Sequence, residues 1–129
     1  MINYYDETTG RWITDWDRYR IVASEPRFRE LGDLILSDPA RAWPLLLDLL
    51  ASVPADTIHY VGAGDLQNFI WHHGAAFLTE IEEQARTNAR FREAALEVNL
   101  ERGQLPSPTE ERLVAAFGPH FRLLERNAG

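Results

Sequence analysis

The stretch VGAGDLQNFIWHHGAAFLTEIEEQA, Val61 to Ala85, decides the fold class. Leu66, Phe69, Ile70 and His73 fall at i, i+3, i+4 and i+7, the spacing that puts side chains on one face of a helix. After Gly74 the apolar set resumes as Phe77, Leu78, Ile81 and Ala85, with Glu80, Glu82, Glu83 and Arg86 mostly on other faces. Gly74 loosens or ends a helix, so the stretch predicts two short helices in a hairpin, or one helix kinked there. Gly62-Ala63-Gly64 reads as a flexible turn, and Asp65 as an N-cap for a helix that starts at Leu66.

Outward from this centre the pattern stays helical. Toward the N-terminus, Met1 to Gly10 reads as a lead-in closed by a polar turn, Asp6-Glu7-Thr8-Thr9-Gly10. Trp12, Trp16, Tyr19 and Ala23 recur at i, i+4, i+7 and i+11 and predict a first helix. Ser24-Glu25-Pro26 caps a second, through Phe28, Leu31, Leu34 and Ile35. Asp38-Pro39 opens a third, apolar on much of its circumference, with Pro44 near its start. Thr57 to Val61 has strand-like residue types but no partner run, so it reads as loop or helix. Toward the C-terminus, Thr87-Asn88 caps a helix carrying Phe91, Ala94, Ala95 and Val98 and closed by Gly103. Ser107-Pro108-Thr109-Glu110 forms a capping box for the next, Gly118-Pro119 ends it, and His120 to Arg126 adds a last turn. The expectation is one all-α domain over residues 1–129, a compact bundle or stacked helix hairpins of about six to seven short helices.

Composition bounds the function. The 129 residues contain no cysteine, which removes disulfides, thiolate metal sites and a cysteine nucleophile. All 13 basic residues are arginine and 20 are acidic, a net charge of −7. Nucleic-acid binding shows as a basic patch, and no basic cluster occurs, so no nucleic-acid partner is expected. An acidic chain attracts basic partners at long range. No apolar run reaches the roughly 18 residues of a membrane helix, and the polar, acidic start lacks the regions of a secretory signal. A cytoplasmic protein with no membrane partner is expected.

Candidate chemistry is sparse. Gly62 and Gly64 before Asp65 invite a phosphate-loop reading, but no strand clearly precedes them, no third glycine follows at dinucleotide spacing, and the chain has no lysine. His72 and His73 point about 100° apart on a helix and so diverge from a single metal. His73, on the apolar face, reads as a core histidine bonded to a backbone carbonyl. Glu93, Glu97 and Glu101 align at i, i+4 and i+8 as an acidic ridge. Trp12, Trp16 and Tyr19 form an aromatic stripe that is either core or a contact surface. No G-x-S-x-G elbow, catalytic triad, metal motif or cofactor motif occurs.

Asp38-Pro39, Ala42-Trp43-Pro44, the G-x-G-x-L of Gly62, Gly64 and Leu66, His73-Gly74 and Arg90-Phe91-Arg92 together resemble a family of small bacterial helical proteins known only as a domain of unknown function. The resemblance spans roughly Asp38 to Leu100 and implies a small helical bacterial domain without assigned catalytic residues. Gln67-Asn68 stands where the pattern expects an acidic residue, so no role rests on a carboxylate there. The function expected is a protein-binding module, of the inhibitor or immunity type, that occludes a basic partner through an acidic helical surface. Alternatives are a small metal-dependent or histidine-based hydrolase around His72, His73 and Glu80, and a scaffold subunit that self-associates through Trp12, Trp16 and Tyr19.

Overall fold

The computed structural model describes residues 3–7, 9–118, 121, 123 and 124. It is essentially all-helical: α1 Asp15–Ala23, a 3₁₀ turn Pro26–Phe28, α2 Leu31–Ser37, α3 Pro39–Ser52, α4 Ile58–Val61, α5 Gln67–His73, α6 Leu78–Thr87, α7 Ala89–Ala95 and α8 Ser107–Phe117. One short antiparallel hairpin precedes them, β1 Asn3–Asp6 against β2 Arg11–Thr14, in the register Tyr4 to Ile13 and Tyr5 to Trp12. The hairpin corrects the expected lead-in and the start of the expected first helix, since Trp12 lies on β2. Tyr4, Tyr5, Trp12, Ile13 and Thr14 are strand formers on either side of the polar turn. That turn closes when Asp6 O accepts from Gly10 N at 2.8 Å, with Gly10 at φ +69°, a backbone region that glycine enters without a Cβ penalty. The helix begins only at Asp15, where Thr14 and Asp17 complete a reciprocal capping box. Those bonds from Thr14 hold the Asp17 carboxyl below its ordinary range.

Asp38 caps α3 as expected, accepting from Arg41 N, with Pro39 in the first turn. Asn88 caps α7 through Phe91 N. The Ser107 capping box does not form. The helix starts one residue earlier than the box requires, and the Glu110 carboxylate is buried and accepts from Gly103 N at 2.7 Å instead. Gly118, at φ +92°, ends α8. The last turn expected from His120 to Arg126 falls largely outside the described residues; of these, Phe121 and Leu123 are buried and Leu124 bridges Glu101. One core joins Ile35, Ala42, Leu46, Leu49, Ile58, Val61, Phe69, Ile81, Phe91 and Leu113. Trp43, itself half-buried, packs against it, with ring centroids 5.0, 5.9 and 6.0 Å from Phe69, Phe77 and Phe91.

The central stretch is helical on both sides of the glycines. Gly62–Leu66 forms one π turn between α4 and α5, with Gln67 N donating to Gly62 O five residues back. The expected N-cap at Asp65 is therefore replaced by helix interior. The reason is phase: Ile58 and Val61 are buried, and so are Leu66, Phe69 and Ile70, but Val61 and Leu66 stand five apart. One extra residue in the turn keeps both sets on the core face. Gly62 is fixed by packing, since a Cβ there would lie 2.0 Å from the backbone oxygen of Ala94. The helix breaks after His73, as expected at Gly74, and resumes at Leu78.

Candidate functional site

The π turn holds Asp65 half-buried near Tyr19. Burial pushes the Asp65 carboxyl up, and burial together with the Asp65 charge pushes the Tyr19 hydroxyl up to about 12. Gly64 faces open space. His73 is half-buried, its Nε2 2.5 Å from Ile35 O, which is the backbone-carbonyl bond expected of it. His72 is exposed on the next position. Among the described residues no three His, Asp or Glu side chains gather into a group that could hold a metal, so His72, His73 and Glu80 do not form one.

A second polar group sits where α1 meets α4, and no spacing signal announces it because its members are distant in the chain. Asp15 is buried at the first position of α1 and accepts from Trp16 N at 2.9 Å. Its other oxygen lies 3.9 Å from His59 Nε2. The Tyr60 hydroxyl is pushed up by desolvation and by its hydrogen bond to Asp15. Trp16, Tyr19 and Tyr60 close over this pair with ring centroids 4.9 to 5.3 Å apart. Rings this close fill the space between themselves, so the cluster is a packed aromatic lid rather than an open cage for a cation.

The expected aromatic stripe thus divides. Tyr19 is buried and Trp16 is 40 % exposed above it, whereas Trp12 lies on β2 and is 70 % exposed. The Trp12 ring meets Tyr5 across the hairpin edge-on at 5.4 Å. Beside it a groove of about 410 Å³ runs between hairpin and α1, lined by Asp6, Arg11, Trp12, Asp17, Arg20 and Ile21 among others. Ile21 is 63 % exposed and Tyr5 54 %. The opposite face of the hairpin is tied down: the Tyr4 hydroxyl donates to Asp56, and Arg18 stacks 3.8 Å over the Tyr4 ring while pairing with Asp56 at 2.8 Å. Those bonds, Tyr4 first, hold the Asp56 carboxyl below its ordinary range. The hairpin is therefore anchored on one face and bare on the other.

The acidic ridge is not a helical ridge. α7 ends at Ala95, its last amides shorten to i−3 bonds, and the chain swings aside to bury Val98 and Leu100. Glu93 stays on the helix, Glu97 on the turn and Glu101 in a bridge to Leu124, all three exposed. Apolar burial at positions 98 and 100 outweighs continuation of the helix to Gly103. Among the described residues no helix is long and apolar enough to cross a membrane.

Neither the comparison with curated proteins nor that with solved structures returned a match. A family model does match, over residues 27–104, which takes in α2 through α7 and leaves the hairpin, α1 and α8 outside. Over more than half of its length, and across the whole π-turned centre, the chain belongs to a family of unknown function, DUF6869.

Proposed function

We propose that the chain is a cytoplasmic protein-binding module of the inhibitor or immunity type, and that its contact surface is the bare face of the N-terminal hairpin with the adjoining side of α1. The supporting observation is the exposure of Trp12, beside exposed Tyr5 and Ile21, at the mouth of a groove. Large aromatics anchor protein interfaces because they bury much apolar area at little entropic cost. The net charge of −7 favours a basic partner by long-range steering, a role that the exposed Glu93, Glu97 and Glu101 share without forming one strip. The test is capture of partners from the host on immobilised wild type and on Trp12→Ala, at low and moderate salt. A basic protein retained in stoichiometric amount by the wild type and lost from the variant supports the reading; equal retention removes the hairpin from it.

The hairpin also gives self-association specific support. In a two-stranded ribbon each strand leaves one edge unpaired, open to a strand from another copy. Sedimentation across a concentration range distinguishes the two: a dimer that dissociates on Trp12→Ala assigns the face to a second copy.

A further inference from the structure

A cleft of about 550 Å³ lies between the 3₁₀ turn, α2 and α3, and its walls mix charge and hydrocarbon. Arg41, Pro44, Leu45 and Asp48 line it from α3, at the i, i+3, i+4 and i+7 positions of one helix face. Pro26, Arg27, Arg29 and Glu30 come from the 3₁₀ turn and its flank, and Leu34 from α2. The three arginines differ in one respect. Arg27 is satisfied: it stacks over Phe28, donates to Glu25 at 2.8 Å, to Asp48 at 3.3 Å and to Ser52 at 3.0 Å. Among the described residues the guanidinium groups of Arg29 and Arg41 make no hydrogen bond and no ion pair.

Arg27 is shared between Glu25 and Asp48, so the charged groups lining the cleft that are left without an ion pair among the described residues are the Arg29 and Arg41 guanidiniums and the Glu30 carboxylate, on a chain of net charge −7. A guanidinium presents a planar fork of N–H donors matched to carboxylate and phosphate oxygens. The cleft's volume falls within the roughly 300–1,000 Å³ of small-molecule sites, and Leu34, Pro44 and Leu45 give it an apolar wall. We propose that this cleft binds a small organic anion, with its carboxylate or phosphate group on Arg29 and Arg41 and its apolar body on Leu34, Pro44 and Leu45. All of the lining residues except Pro26 fall within the segment matched by the family model. The site is independent of the hairpin surface and stands or falls separately from it.

The test is nitrogen-15 NMR of the arginine Nε–Hε groups in the full chain, titrated with phenyl phosphate, benzoate and inorganic phosphate. Phenyl phosphate or benzoate should move the Arg29 and Arg41 signals saturably, and the tighter of the two identifies the anion. Arg41→Gln should weaken that binding by about tenfold, since a charge-assisted hydrogen bond is lost. Glu30→Gln should tighten it, and the remote Arg86→Gln should leave it unchanged. Arg41 and Glu30 are exposed and bond nothing through their side chains, so the variants keep the fold, and the backbone amide spectrum checks this in the same experiment. Shifts that fail to saturate with both aromatic anions overturn the proposal, as does an equal loss of affinity in Arg86→Gln. Inorganic phosphate bound as tightly as phenyl phosphate also overturns it, because the apolar wall would then have no part.

Discussion

Trp43 and Trp12 are the same residue given opposite work. Trp43, inside the family segment, meets the rings of Phe69, Phe77 and Phe91 and packs against the core. Trp12, outside that segment, meets one ring, Tyr5, and otherwise faces solvent. Burial on several sides makes an indole part of the fold. An indole on one face of a two-stranded ribbon adds little to stability and leaves its surface available, so the two regions divide into a helical framework and an appended hairpin with one exposed face.

The sharpest way to break the framework is at Gly62. Gly62→Ala places a methyl group against the Ala94 carbonyl and should cost about 3 kcal/mol or more in urea unfolding. Gly64→Ala, two residues on in the same π turn but facing open space, should instead stabilise by about 0.5 kcal/mol. A similar loss at both positions would show that glycine is required by the turn itself and not by the helix crossing. Trp43→Ala should cost about 3 kcal/mol, and a loss below about 1 kcal/mol would place Trp43 with Trp12 rather than against it.

Asp65 adds a pH-dependent strand to the comparison. Its folded carboxyl is raised by burial, so the folded state holds its proton to higher pH than the unfolded state does. Its contribution is therefore a loss of stability as pH climbs from the ordinary aspartate value, about 3.9, through the raised one, and is level above that. The difference in unfolding free energy between wild type and Asp65→Asn should change across this window in the variant's favour. A difference that is flat with pH would show an unburdened carboxylate.

On the appended hairpin the expected effects are small. Trp12→Ala should stay within about 0.5 kcal/mol of the wild type, and a larger loss would mean that the hairpin's bare face packs in the monomer. Tyr4→Phe removes the hydroxyl that donates to Asp56. It should speed amide exchange in β1 and β2 without moving the global unfolding midpoint, and uniform acceleration would show that the hairpin belongs to the framework.

What could be read from the residues follows a physical division. Caps made by a short side chain to its own helix, Asp38 at α3 and Asn88 at α7, were legible because partner and signal lie three residues apart. The carbonyl bond of His73 was legible from its place on an apolar face. The hairpin was not, because Trp12, Trp16 and Tyr19 fit helical spacing as well as the strand residues fit a ribbon, and pairing with Tyr5 decides between them only in three dimensions. The π turn was hidden for a related reason: glycines suggest a break, and only the five-residue step from Val61 to Leu66 reveals a helix that continues. Asp15, His59 and Tyr60 come together through the packing of α1 on α4, and no local pattern announces that.

The Arg90 side chain crosses from α7 to the far end of α3, where Nε donates to Leu50 O at 2.8 Å and a terminal nitrogen donates to Val53 O. These carbonyls stand at the close of a helix, where the backbone has no further turn to bond them. Their partner is made some 40 positions later in the chain. The close of α3 is therefore sealed by a tertiary contact and not by its own sequence: without α7 docked against it, the end of this helix would have only water to bond its carbonyls.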